Sequence, residues 1–357
     1  MAVTFEKLQA DLDKKPSVHL EVSDLAVTYK TVNGAFHAVD NISFEVTPGS
    51  NLGLVGESGC GKSTVVKALM RLTPSDATLS GRVLINGADL IAMDAAQLQD
   101  VRWTQIALVT QSAMNSLDPV VRIGDQIVES IRAHVDTSYA TAWKRAEELF
   151  AMVGLPAARL REYPHQFSGG MRQRTVIAMA LSLNAGLLLA DEPTTALDPI
   201  MQDQVLARIQ SVQKSLHRSM ILVTHDIAVV AETCEMVAVM YAGRIVEYGP
   251  TAKVLTKPLH PYTMGLENAF PRMPNGDGAR PPLISIRGGL PNLLDPPKGC
   301  RFEARCPFAT EKCRNEDPVI KIDGSSHVAA CHYTTRAHDF RKDAAKAETW
   351  NLAEEVT

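Results

Sequence analysis

Between residues 18 and 46, apolar and polar positions alternate in HLEVSDLAVTY and again in AVDNISFEV, with a polar turn at 31–34 between them. A period of two marks strands with one buried face, so this stretch predicts an antiparallel layer. After the turn Thr47-Pro48-Gly49 come a short apolar run over 51–55, a glycine-rich loop, and a segment over 63–72 where Val65, Val66, Leu69 and Leu72 fall at helical spacing. The order there is strand, loop, helix. From about 112 to 167 the pattern is helical, with Ile123, Ile127, Val128 and Ile131 along one segment and a second segment over 143–153. This reads as a separate helical subdomain. The α/β alternation then resumes with a helix after Gly170, a strand over 186–190, a helix around 202–216, strands over 221–224 and 237–241, and a short strand bracketed by Gly243 and Gly249. Beyond Pro258, proline and glycine become dense and four cysteines appear, so a small irregular module is expected. The expected partition is a tail over 1–17, an α/β domain over 18–265 containing the helical subdomain at about 112–167, a C-terminal module over 266–335, and a tail over 336–357.

At 357 residues the chain exceeds the usual size of one hydrophobic core, which fits a large domain with a smaller appendix. Lys and Arg total 36 against 40 Asp and Glu, with both signs spread along the chain, so no basic stripe suggests a nucleic-acid partner. The most apolar stretch, residues 175–190, is too short for a bilayer and is interrupted by Asn184. The N-terminal MAVTFEKLQADLDKKP mixes charges and lacks an apolar targeting core, so a cytoplasmic location is expected. There, six cysteines are expected as thiols or metal ligands rather than disulfides.

The loop Gly56-Glu57-Ser58-Gly59-Cys60-Gly61-Lys62-Ser63, followed by Thr64, fits G-x-x-x-x-G-K-[ST] and lies between the expected strand and helix. Glycines let the backbone wrap phosphates and aim N–H groups at them, and the helix N-terminus adds a favourable dipole. Lys62 is expected to reach the β- and γ-phosphates of ATP and Ser63 to hold Mg²⁺. Cys60 lies inside the loop, where a bulky thiol adduct is expected to obstruct nucleotide. A second cluster, Leu187-Leu188-Leu189-Ala190-Asp191-Glu192, is an apolar strand ending in two carboxylates, at the end of the strand where α/β proteins bind ligands. Asp191 would complete the Mg²⁺ shell, and Glu192 would polarise the attacking water as general base.

Phe167-Ser168-Gly169-Gly170-Met171-Arg172-Gln173-Arg174 resembles the signature motif of ABC ATPases. Gln111 resembles the Q-loop glutamine, Ala196-Leu197-Asp198 the D-loop, and His225 in LVTHD the switch histidine, all in the family's order. The resemblance implies an α/β P-loop ABC ATPase core, with a RecA-like parallel sheet, an antiparallel β layer and a helical subdomain. It also implies a head-to-tail dimer in which Ser168 and Gly170 of one subunit, with Gly169, meet the γ-phosphate held by Lys62 of the other. His225 would contact that phosphate, Gln111 would join Ser63 and Asp191 around Mg²⁺, and Asp198 would line the nucleotide site. Tyr29 is the expected adenine-stacking aromatic, with Phe36 as rival. Two departures stand out: Phe167 replaces the usual Leu, and Gln111 is followed by Ser112-Ala113 rather than Asp-Pro.

Asn115-Ser116-Leu117-Asp118-Pro119, VAVMYAGRIVEYGP over 237–250, His260-Pro261-Tyr262-Thr263 and GCRFEARCPFATEKC resemble the oligopeptide/dipeptide importer ATPases. This implies two permease subunits, a second homologous ATPase (a heterodimer, with a homodimer as the alternative), an extracytoplasmic solute-binding protein, and a peripheral place on the cytoplasmic face of the membrane. Peptides or related solutes would be the cargo. Cys300, Cys306, Cys313 and Cys331 are spaced C-x5-C-x6-C-x17-C, enough ligands for a metal site. The C-x2-C knuckles of zinc ribbons are absent, and the resemblance implies a 4Fe-4S cluster in at least some members; Zn²⁺ and free thiols follow in that order. A soluble ABC ATPase acting on DNA or the ribosome is the competing reading. The stretch between Lys62 and Ser168 is too short for long coiled coils, and the chain carries one ATPase half rather than two.

Overall fold

In the computed structural model, residues 4–14, 17–110, 116–194, 197–269, 284–320 and 326–351 are described. The first described element is helix α1 (Phe5–Asp13), capped by the Thr4 side chain. The alternating stretch then forms β1 (Leu20–Thr31) and β2 (Gly34–Val46), paired antiparallel from Leu20↔Val46 to Thr31↔Gly34. The apolar run becomes β3 (Asn51–Val55), buried at every position, and leads through the glycine loop into α2 (Lys62–Leu69). Next come β4 (Ala77–Ile85), β5 (Ala88–Asp89), α3 (Ala95–Val101) and β6 (Ile106–Val109). Helices α4 (Ile123–Arg132), α5 (Tyr139–Met152) and α6 (Gly169–Ala180) follow. The chain then alternates through β7 (Leu187–Asp191), α7 (Pro199–Ser215), β8 (Ser219–Val223), α8 (Ile227–Thr233), β9 (Met236–Tyr241) and β10 (Arg244–Pro250). It continues with α9 (Thr251–Thr256), α10 (Pro261–Ala269), α11 (Glu311–Asn315), β11 (Val328–Ala329) and α12 (Ala337–Ala344).

Two sheets result. One is antiparallel, in the order β2-β1-β4-β5; the other runs β11-β10-β9-β3-β8-β7-β6, with β9, β3, β8, β7 and β6 parallel. Strands of this second sheet are covered on both faces, so they read in sequence as apolar runs without alternation. The period of two is still present, but it divides residues between two cores rather than between core and water. Leu52, Leu54, Leu187, Leu189, Ile221 and Val223 face a core shared with Val65 and Leu69 of α2 and with Val22, Val27 and Ile42 of the antiparallel sheet. Val55, Leu188, Ala190, Met220 and Leu222 face the other core, built with Ile127, Phe150 and Ile177 of the helical region. Helix α2 is thus held between the two sheets, which fixes the loop before it.

Both expected tails correspond partly to packed helix. Leu8 and Leu12 of α1 are buried, and Arg145, itself buried, donates to Gln9 Oε1 at 3.0 Å and to Asn184 Oδ1 at 2.9 Å. At the other end Phe340 stacks on Phe308 at 4.2 Å, and Trp350 is buried. Each segment offers only two or three large apolar residues, too few to stand out from a solvated helix, and its burial partner lies more than a hundred residues away or in an irregular stretch. Strands β4 and β6 also escape the hydrophobic pattern: β4 alternates weakly at an edge region, and β6 has four residues. No helix among the described residues is long and apolar enough to cross a membrane.

The C-terminal module packs against the α/β core. Its β11 adds to the edge of the large sheet beside β10, Glu247↔Ala329 and Tyr248↔Val328. Phe302 is buried against Tyr241 at 5.2 Å and Tyr262 at 5.4 Å. The mixed-sheet α/β core agrees with the expected fold class.

Candidate functional site

The glycine loop is shaped by close approaches that exclude a side chain. A Cβ on Gly56, whose φ is +151°, would lie 2.2 Å from the Met240 carbonyl oxygen; one on Gly61, at φ +107°, would lie 2.5 Å from that of Ala38. Lys62 is buried and its Nζ donates to the carbonyls of Gly56 at 2.7 Å and Glu57 at 2.9 Å, closing the loop around its own ammonium. Helix α2 begins at Gly61 with no side-chain cap, so its first-turn donors and dipole face the loop. Ser58 and Gly59 are exposed, whereas Ser63 and Thr64 are half-buried at the start of α2.

Cys60 is enclosed by the loop it belongs to. Its side chain is fully buried, its Sγ lies 3.7 Å from Lys62 Nζ, and burial raises its thiol pKa. A reagent therefore meets it only when the loop opens, and thiolate character is suppressed.

Strands β3, β8 and β7 are neighbours, and the groups at their carboxyl ends come together. Ser63 Oγ donates to Asp191 Oδ1 at 3.2 Å, joining loop and carboxylate. Burial raises the pKa of Asp191, with the Ser63 hydrogen bond acting in the opposite direction. Glu192 has a φ of +46°, uncommon for a residue with a side chain; its N–H donates to the Val223 carbonyl at 2.9 Å. This turn aims its carboxylate at His225, whose Nδ1 is 3.4 Å from Glu192 Oε1. His225 is largely exposed at the end of β8, and Asp226 after it caps α8 by accepting from Ala228 N at 2.9 Å.

Ser168 caps α6, its Oγ accepting from Met171 N at 3.3 Å, and Gly169 and Gly170 are the first helical residues. Among the described residues no hydrogen bond joins these three to the loop of the same chain. Gln173, buried on the same helix, donates to the Pro193 carbonyl next to Glu192, so the α6 terminus and the carboxylate turn are tied together. Asp198 caps α7, accepting from Met201 N at 3.0 Å. Gln111 and Ala196 lie outside the described residues. Tyr29 is half-buried and pairs directly with Phe36 across β1 and β2.

Cys300, Cys306, Cys313 and Cys331 line one cavity together with Phe302, Phe308 and Tyr333. Burial pushes Cys300 up to about 12 and raises Cys306 and Cys331 as well, neighbouring thiols adding to the effect. Among the described residues no group of three or more His, Cys, Asp or Glu side chains is drawn close enough to hold a metal ion. The expected metal-binding module is met, then, only as four cysteines on one wall.

Residues that the motifs do not single out also touch the loop: Tyr262 accepts from the Glu57 N–H at 2.9 Å, and Arg305 binds the Glu57 carboxylate. The signals are present, since Tyr262 lies in HPYT and Arg305 in the C-R-F-E-A-R-C run, but those runs carry no chemistry by themselves.

The ABC transporter family model matches residues 39–195, and that of the oligopeptide/dipeptide transporter C-terminal region matches residues 246–313. The chain is 43% identical over 305 residues to the oligopeptide transport ATP-binding protein OppD of Salmonella typhimurium, covering 85% of this chain and 90% of that one. It is also 43% identical over 320 residues to the dipeptide transport ATP-binding protein DppD of Caldanaerobacter subterraneus, covering 88% and 97%. Among solved structures, the dimeric ATP-binding cassette MJ0796 bound to ADP and Pi overlays 65% of this chain and 98% of its own, with TM-score 0.60 and 26% identity. These relatives support a transport reading and none of them supports the ribosome- or DNA-acting alternative. The chain belongs to the oligopeptide/dipeptide family of ABC transporter ATP-binding subunits and is an ATPase of that class.

Proposed function

We propose that this chain powers uptake of peptides or a related solute by hydrolysing ATP between two ATPase subunits on the cytoplasmic face of a membrane. The observation that carries the reading is the convergence of Lys62, Ser63, Asp191, Glu192 and His225 at the carboxyl ends of adjacent strands. Loop N–H groups and Lys62 cradle the phosphates; Ser63 and Asp191, with Gln111, hold Mg²⁺. Glu192 takes the proton of the attacking water, and His225 beside it holds the γ-phosphate end of the site. Tyr29 stacks on adenine, and Asp198 lines the site from the start of α7. Ser168, Gly169 and Gly170 serve the partner's nucleotide: the α6 terminus makes no hydrogen bond to its own loop among the described residues, and a helix start of this kind suits an anion. The MJ0796 cassette, which is dimeric, supports such an arrangement. Permeases, a second ATPase and a solute-binding protein are the proposed partners, in keeping with relatives named as transport ATP-binding proteins.

For the cysteine wall, the proposed group is a 4Fe-4S cluster, with Zn²⁺ as the alternative. Four cysteines sharing one aromatic-lined cavity supply enough ligands for either. Cys300, Cys306, Cys313 and Cys331 would hold it, and it would supply a crosslink and a one-electron centre.

Two experiments test these readings. In the assembled transporter, Glu192→Gln keeps ATP binding and lowers steady-state hydrolysis by about 10²–10⁴-fold; unchanged turnover removes Glu192 from the role of base. Protein purified without oxygen should be brown, with iron and sulfide in equal amounts. A colourless, metal-free preparation whose four cysteines are all alkylated in the folded state rules the cluster out.

A further inference from the structure

The phosphate loop carries an acidic side chain, Glu57, where a polyphosphate is expected to lie. Left alone, that carboxylate would repel the ligand. It is not left alone. Arg305 Nη1 and Nη2 donate to Glu57 Oε2 and Oε1 at 2.8 and 2.9 Å, a two-pronged pair that fixes orientation as well as charge. Arg305 is buried: its Nε donates to the Arg287 carbonyl at 2.8 Å, and its guanidinium lies over Tyr241 at 5.6 Å and Phe302 at 5.9 Å. Glu57 is tied at two more points, its N–H to Tyr262 Oη at 2.9 Å and its carbonyl to Lys62 Nζ at 2.9 Å. One residue therefore connects the loop lysine, α10 and the C-terminal module.

Other contacts run the same way. Arg301 donates to Asp40 and to the Ala242 carbonyl, beside the Ala38 carbonyl on which Gly61 rests. The Leu293 carbonyl accepts from His37 N at 3.0 Å. The module thus touches the loop at Glu57 and the β2 segment at 37–40, and Arg305 directly precedes Cys306 of the cysteine wall.

We propose that Arg305 is a positioning residue of the nucleotide site: by neutralising and orienting Glu57 it sets the affinity of the loop for ATP and couples that loop to the C-terminal module. This rests on the ATPase reading above. Coupling of this kind is reciprocal, so nucleotide that prefers the latched loop must also favour the ordered module by the same factor.

The test uses the full chain, with equilibrium ATP binding in the presence of Mg²⁺ and hydrogen exchange of residues 284–306. Arg305→Gln leaves Glu57 unneutralised and should weaken ATP binding about tenfold. Adding Glu57→Gln to it removes the repelling charge and should bring affinity back to within about threefold of the parent. A merely structural arginine would give no such rescue. In the parent, ATP should slow exchange over 284–306; in Arg305→Gln it should not. If Arg305→Gln is poorly folded, Arg305→Lys keeps the charge and should bind ATP more tightly than the Gln variant. Parent-like ATP affinity in Arg305→Gln, or a double variant as weak as the single, overturns the proposal while leaving the ATPase reading in place. Failure of the parent chain to bind ATP overturns both.

Discussion

The phosphate loop and the C-terminal module are built on opposite principles although they touch. In the loop, the phosphate-binding groups lie within eight consecutive residues, and Gly56 and Gly61 are dictated by backbone carbonyls that a Cβ would meet at 2.2 and 2.5 Å. In the module, the elements are short, the cysteines are spread over 300–331, and order comes from aromatic packing around Phe302 and Phe308 and from an added edge strand. A local constraint leaves a contiguous motif; a site assembled from distant segments leaves only scattered residue types. The difference matters for perturbation, since removing one loop group should change binding with little loss of fold, whereas removing a packed module ring should change fold first.

The largest effect expected is in the module. Phe302→Ala deletes a ring buried against Tyr241, Tyr262 and His260, and should lower the local stability of residues 284–351 by about 3–5 kcal/mol. Hydrogen exchange peptide by peptide measures it, and equal loss of protection in β3 and β8 would break the distinction between the two regions. Next, Lys62→Ala should weaken ATP binding by about a hundredfold through loss of its charge-assisted contacts. Its melting temperature should stay close to the parent's; a collapse of stability would show that the lysine holds the loop together rather than serving the ligand.

The smallest effect is a pH dependence confined to the module side. His260 is fully buried, its Nδ1 accepts from Tyr262 N at 3.0 Å, and burial lowers its pKa from 6.5 to about 3. Between those values the unfolded chain binds a proton that the folded one does not, so stability rises with pH. The contribution is complete above pH 6.5 and is lost progressively as pH falls towards 3. Between pH 6.5 and 5 this amounts to about 2 kcal/mol. His260→Asn keeps an acceptor for Tyr262 N and should flatten that slope in local-stability measurements; an unchanged slope would assign it to other groups.

The nucleotide chemistry is legible along the chain because it depends on short-range order: strand, loop and helix at 51–72, two carboxylates at the end of an apolar strand, and His225 after another. The antiparallel layer is legible from a period of two at 20–46, and α4 from Ile123, Ile127, Val128 and Ile131. Helices α1 and α12 read in sequence as tails because Leu8 with Leu12, and Phe340 with Trp350, find their partners only in three dimensions. The burial of Cys60 is hidden from the sequence for the same reason: residue type and position in the loop say nothing of the Met240 and Ala38 backbone against which the loop glycines rest.

By itself, then, the sequence determined the ATPase class and the order of its motifs, since a phosphate-binding loop works only with glycines, lysine and serine at fixed spacing. Tertiary structure alone decided that Arg305 of the module neutralises Glu57 of the loop and that Gln173 ties α6 to the turn at Glu192. These pairs are joined by ion pairing and hydrogen bonding across long stretches of chain, interactions whose partners no local period or motif encodes.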